Sequence, residues 1–204
     1  MKTSVFDELY ERYPQLSPCA GEIAKAFEIL LACYRNGGKV LTCGNGGSAA
    51  DAEHIVGELL KKFKKHRAIS PEVAARLPPE LSAKLEGALP AVSLVSMSGI
   101  LTAFANDVAW ETAFAQQAYG LGRPGDVLIA LSTSGNSANC VNAALVARAR
   151  DMKVISLTGA GGGRLGEIAD AAIRVPETET YRIQELHLPV YHALCAATEE
   201  RLFD

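Results

Sequence analysis

Five short, mainly apolar runs recur along the chain, at 39–43 (KVLTC), 91–95 (AVSLV), 126–131 (DVLIAL), 153–158 (KVISLT) and 172–175 (AIRV). None shows the period-two alternation of a strand with one wet face. Such strands are buried on both sides, as in a parallel sheet with helices above and below it. The segments between them have helical spacing, at 48–64, 98–105, 109–119, 137–150, 164–169 and 181–202. The expected fold is therefore α/β, a three-layer sandwich around a five-stranded parallel sheet, preceded by N-terminal helices.

The leading segment, 1–37, reads as a helical pair. Residues 4–13 form the first helix; Ser17-Pro18 has the form of an N-cap with proline at the first helical position, and Gly37-Gly38 ends the second. Residues 66–90 interrupt the strand–helix rhythm. Four of the nine prolines fall there, around helical fragments at 71–76 and 79–87, and the scarcity of Gly and Ser marks an ordered insertion within one domain spanning 1–204. A net charge of −3 supplies no basic field for nucleic acid or an anionic membrane. The short basic stretch Lys61, Lys62, Lys64, Lys65, Arg67 reads as a solvated helix end. No apolar run approaches the ~20 residues that span a bilayer. The five scattered cysteines never form C-x-x-C and read as reduced core residues of a cytoplasmic protein.

Two strand-to-helix junctions carry the chemistry. Gly44-Asn45-Gly46-Gly47-Ser48-Ala49 satisfies the loose spelling of a dinucleotide loop, but the acid that would hold the ribose is missing both 20 residues on and after the second strand. NAD is thereby disfavoured. Ser132-Thr133-Ser134-Gly135-Asn136-Ser137 offers hydroxyls, backbone amides and a helix N-terminus, which suits a phosphate and equally an ordinary capped turn. Two such junctions together favour a ligand at the carboxyl ends of the strands. Without the G-K-[ST] lysine of a nucleotide-hydrolysing loop, a monophosphate is favoured over a triphosphate.

CGNGGS followed by STSGNS resembles the sugar isomerase (SIS) fold, a flavodoxin-like sheet whose members bind phosphosugars at these loops. With His54-x-x-x-Glu58, Ala105-Asn106-Asp107, Arg182-Ile183-Gln184-Glu185-x-His187 and His192, the set is similar to the phosphoheptose isomerases, over nearly all of 20–204. The resemblance implies conversion of sedoheptulose 7-phosphate to D-glycero-D-manno-heptose 7-phosphate, for surface glycan synthesis, with Glu58 as carbon base and His192 handling oxygen protons. It places the phosphate on Ser132, Thr133, Ser134 and Ser137, and the sugar near Asn45, Gly46, Gly47, Ser48, Glu58, Asn106, Asp107 and Gln184. Some members bind zinc through residues matching His54, Glu58, Gln184 and His192, a donor set that zinc accepts. On helices, His54 and Glu58 lie about 40° apart and Gln184 and His192 about 80° apart, which allows convergence. Homotetramers with active sites at subunit interfaces are also implied, with the N-terminal helices offering apolar stripes.

Plainer roles compete. A His-x-x-x-Glu pair is most often a surface ion pair, His192 sits among apolar neighbours as a core histidine would, His187 reads as supporting or structural, and Asn106 and Asp107 are placed to cap a following helix. Three departures from the family pattern stand out: the long 66–90 insertion, Tyr181 where relatives often carry aspartate, and Pro189, which should bend the closing helix between Gln184 and His192. Lys62 stands where relatives often carry arginine and would approach the phosphate as a point charge. The competing functions are isomerisation of another sugar phosphate, or a non-enzymatic phosphosugar-binding or replication-initiator-associating module.

Overall fold

The computed structural model describes residues 4–203. Helix α1 (Val5–Arg12) opens on a capping box, in which Ser4 and Asp7 satisfy each other's backbone amides. Helix α2 (Ala20–Arg35) does not begin at Ser17-Pro18. Those residues lie in a 3-10 turn, Pro14–Cys19, that runs straight into α2, so the proline meets no established helical carbonyl ladder. The expected stop holds: Asn36 caps α2 and Gly37 takes φ +72°. Residues 1–3 of the anticipated helical pair lie outside the described residues.

The chain then follows the anticipated alternation: β1 (Val40–Cys43), α3 (Gly47–Leu60), two short helices α4 (Pro71–Ala74) and α5 (Pro79–Ser82), β2 (Ala91–Ser93), α6 (Ser98–Asp107), α7 (Ala113–Leu121), β3 (Val127–Leu131), α8 (Ala138–Ala149), β4 (Lys153–Thr158), α9 (Gly163–Ile168), β5 (Ala171–Arg174) and α10 (Thr180–Leu202). All five strands are parallel, in the order β2-β1-β3-β4-β5. Alternate side chains of each strand enter opposite layers. Val40, Val127, Ile129, Leu131 and Ile155 pack with α1, α2, α3 and α10, while Leu41, Leu128, Ala130 and Val154 pack with α6, α7, α8 and α9. This is why the strands lack alternation: each side is a core. All five cysteines are free and buried, as expected of core residues.

Helix α3 ends at Leu60, four residues short of expectation; Lys61, Lys62 and Lys64 are exposed as a solvated stretch would be, but they lie past the helix, and Arg67 does not share their exposure. Lys61 is extended, and the amides of Phe63, Lys64 and Lys65 turn onto the Glu199 carboxylate of α10 at 2.8, 2.7 and 3.0 Å. Arg67 is fully buried, with Nε 2.7 Å from Glu199. One carboxylate thereby satisfies three consecutive amides that have no helical carbonyl to bond to.

The 66–90 insertion is secured at its two ends. Gly87 and Leu89 amides donate to the Arg67 and Leu59 carbonyls, whereas α4 and α5 bury no residue. Helix α10 runs unbroken through Pro189.

Candidate active site

In the sheet order, the chain leaves β1 toward β2 and returns on the other side as β3. The loops after β1 and β3 therefore part in opposite directions and open a crevice at the carboxyl end of the sheet. Adjacent strands hold these loops side by side, with Cys43 in register with Ala130. A reciprocal amide pair ties them further: Asn45 and Asn139 exchange Nδ2–H···Oδ1 bonds of 2.9 and 2.8 Å. Asn139, buried at the start of α8, was not picked out from the sequence. Its position within STSGNSAN, at the first turn of the helix, was the available signal.

The second loop is tightly wound. Gly135 has φ +68°, and a Cβ there would lie 1.9 Å from the Gly162 carbonyl oxygen, so only glycine fits. Ser132 and Ser137 pair through their hydroxyls at 2.9 Å, and the Ser134 hydroxyl accepts from the Asn136 amide. Ser137 precedes α8 without capping it by its side chain; the Cys140 amide donates to Asn139 Oδ1, which leaves the two amides before it for a ligand. Ser132 is buried, Thr133 and Ser137 are half-buried and Ser134 is exposed. On the first loop Asn45 is half-buried, Gly46 and Gly47 are exposed and Ser48 is buried.

Helices α3 and α10 build the other wall, running side by side in the same direction. Gln184 lies against Gly47, where a Cβ would come within 2.7 Å of its Nε2. One turn and more along, Tyr191 meets Asp51 and His54, and further on Glu199 meets the turn after α3. His54 Nε2 is 3.2 Å from Glu58 Oε1, and Lys61 Nζ is 3.2 Å from the other carboxylate oxygen. The His54 and His192 rings meet edge-on with centroids 5.0 Å apart, and Phe63 packs against His192 at 5.3 Å. His54, Glu58 and His192 thus share one neighbourhood, and the His54–Glu58 contact of the plainer reading is present as well. Gln184 precedes His192 by about 12 Å of helix rise and sits at the first turn of α3.

His192 is half-buried and its Nε2 has no hydrogen-bond partner. Burial, then the neighbouring His54, lowers its pKa, against a smaller opposing pull from Glu58. The Nε2 is itself buried, and a neutral imidazole with an unpartnered nitrogen has the chemistry to exchange protons with an oxygen brought against it. His187 is a different case: it is wholly buried, and burial pushes it down to about 4, which agrees with a structural role.

Two expected placements need revision. Asn106 and Asp107 are the last residues of α6 itself and cap no following helix. Both are exposed, with Asn106 Nδ2 donating to Asp107 at 2.8 Å. Lys62 is engaged by the insertion, its Nζ 3.1 Å from Glu86 and its amide 2.9 Å from the same carboxylate. The N-terminal helices bury Leu9, Ile23, Ala26 and Leu30 in the core and leave Val5, Phe6, Tyr10, Phe27 and Ile29 partly buried. Among the described residues, the exposed large apolar side chains include Val108, Trp110, Tyr119 and Leu121, and none lies before Leu60. The metal donors fit zinc by chemistry, and the unpartnered Nε2 of His192 is the kind of atom a cation satisfies. Yet among the described residues no three His, Cys, Asp or Glu side chains are drawn close enough to hold an ion as they stand.

The comparisons with known proteins agree with this geometry. The SIS domain family model matches residues 7–159. The chain is 45% identical over 188 residues to a phosphoheptose isomerase of Rhodospirillum rubrum, covering 92% of this chain and 90% of the relative. It is 39% identical to one from Shewanella baltica, covering 100% and 95%. Solved phosphoheptose isomerases of Neisseria gonorrhoeae (TM-score 0.76, 36% identity, 96% and 95% coverage) and Francisella tularensis (0.78, 32%, 96% and 94%) superpose along nearly the whole length. The chain belongs to the SIS domain family and, within it, to the phosphoheptose isomerases.

Proposed function

We propose that this protein is an aldose–ketose isomerase that interconverts D-sedoheptulose 7-phosphate and D-glycero-D-manno-heptose 7-phosphate. The observation that carries this reading is the grouping of Glu58, His54 and His192 beside two polar strand-to-helix junctions at the sheet's switch point. In the open-chain ketose, the Glu58 carboxylate takes a proton from C1 while the C–H electron pair forms the enediolate. His192 gives a proton to the C2 oxygen and takes one from the C1 oxygen; Glu58 then returns its proton to C2. Ser132, Thr133, Ser134, Ser137 and the first-turn amides of α8 receive the phosphate. Asn45, Gly46, Gly47, Ser48 and Gln184 border the sugar.

Zinc held by His54, Glu58, Gln184 and His192 would polarise the carbonyl as a Lewis acid, and closing that set requires side-chain rotation. We further propose a cytoplasmic homotetramer in which Asn106 and Asp107, exposed beside Val108 and Trp110, reach a neighbouring subunit's site. The product would feed heptose into a surface glycan.

The test is turnover of sedoheptulose 7-phosphate beside five- and six-carbon ketose phosphates. Preference for the heptulose and loss of turnover in Glu58→Gln and His192→Gln are expected. Wild-type rates in either variant overturn the acid/base assignment; turnover of no sugar phosphate by the parent chain favours a binding module.

A further inference from the structure

Asn139 is the second residue of α8, 3% exposed, and its side chain reaches the first loop. A backbone donor fixes which way its amide faces: the Cys140 N–H donates to Asn139 Oδ1 at 3.0 Å, so that atom is the acceptor. Asn45 must then turn its Nδ2 to Asn139 Oδ1, at 2.9 Å, and its Oδ1 to Asn139 Nδ2, at 2.8 Å. The second hydrogen of Asn45 Nδ2 has the Cys140 thiol, at 3.7 Å. Both amide hydrogens of Asn45 are committed to α8, and none is left for a sugar hydroxyl.

Each end of this pair is joined to more of the site. The Ala138 and Asn139 amides are the first-turn donors left open behind Ser137, so Asn139 belongs by its backbone to the phosphate cradle. On the other loop, Gly44 lies so close to the Ser48 carbonyl oxygen that a Cβ would come within 2.3 Å of it. Asn45 is therefore part of one compact turn with the start of α3, the helix that carries His54 and Glu58. The strands pair the two loops only as far as Cys43 and Ala130; past that register the two asparagine side chains bridge them directly. We propose that Asn139 is a positioning residue whose side chain, acting through Asn45, couples the phosphate cradle to the wall that carries the carbon base.

The consequence is a split between two ligands, and it rests on the isomerase reading. Inorganic phosphate needs only the cradle, to which the two side-chain amides contribute no donor. A sugar phosphate needs the cradle and the α3 wall at a fixed separation, because its phosphate and its carbonyl lie at opposite ends of one carbon chain. Cutting the pair preserves the first requirement and loosens the second. The two residues also act as one unit, so losing either removes the same constraint. Were Asn45 to hold the sugar itself, the two losses would act separately.

The experiment is a double-mutant cycle in the full chain, with Asn45→Ala, Asn139→Ala and the two together. Turnover of sedoheptulose 7-phosphate is measured beside calorimetric binding of inorganic phosphate. In each single variant kcat/KM is expected to fall about 10–100-fold, with phosphate affinity within about twofold of the parent. The double variant is expected to lose no more than the worse single one. Asn45→Ser and Asn139→Ser supply a second cycle where the alanine variants do not fold. Additive losses, an unchanged kcat/KM in Asn139→Ala, or an equal loss of inorganic phosphate binding overturns the proposal. Calorimetric binding of sedoheptulose 7-phosphate runs the same cycle without turnover. Non-additive weakening there, in a chain that isomerises no sugar phosphate, would leave the coupling standing and refute the isomerase reading alone.

Discussion

Two histidines on α10, five residues apart, show how environment divides one side-chain type into two roles. His192 is half-buried beside His54 and Glu58 with an unpartnered Nε2, whereas His187 is wholly buried in the core and held down to about 4. Unfolded histidine titrates near 6.5, so between pH 6.5 and 4 the unfolded chain holds the extra proton. His187 therefore costs stability progressively as pH falls through that window, by roughly 3 kcal/mol in full, with no further loss below it. Urea denaturation across pH 7 to 4 should show a steeper decline in the parent than in His187→Leu. Gly47 offers a second test. Its added Cβ would meet the tip of a long side chain, Gln184, and not backbone. Gly47→Ala is expected to fold with near-parental stability while KM rises several-fold, measured by steady-state kinetics. Gly135→Ala, which meets the Gly162 carbonyl, is expected to lower the melting temperature sharply.

At the scale of elements, the end of α3 is held by a group lying well outside it. The Arg67 guanidinium donates to the Leu59 and Glu58 carbonyls at 2.6 and 3.1 Å and to Glu199 on α10 at 2.7 Å. A cation on the last carbonyls of a helix complements their partial negative charge, and here it also sets the backbone under Glu58. Both partners of the ion pair are fully buried. Removing one leaves a desolvated charge, so Arg67→Ala is expected to cost about 3–5 kcal/mol in chemical denaturation. The sequence pattern marked this stretch as solvent-facing because five basic residues in seven usually are. The pattern could not register that one of them had a carboxylate waiting 132 positions later.

At the scale of the molecule, one chain supplies the residues proposed as acid and base and both junctions, while Asn106 and Asp107 end α6 exposed and bonded to each other. The exposed apolar residues at 108–121 flank that pair, and a surface of this kind favours burial against another subunit. Sedimentation of the parent chain is expected to give a tetramer. Trp110→Asp should yield smaller species with depressed turnover, and a fully active parent monomer would contradict the arrangement.

The amino-acid sequence determined the five strands, their parallel pairing and the two polar junctions, because each depends on a pattern readable within a few consecutive residues. Two faces of burial erase alternation locally, and a glycine- or serine-rich turn declares itself locally. It also carried Glu58, His54 and His192, through a family motif and not through spacing, which by itself favoured a surface ion pair. Only the tertiary structure decided that Tyr191 holds His54, that Arg67 is a core residue, that Glu86 claims Lys62 and that Asn139 joins the two loops. Each of these is a polar pairing across 24 to 137 residues, and such a partner is chosen by geometry in space, which no local periodicity encodes.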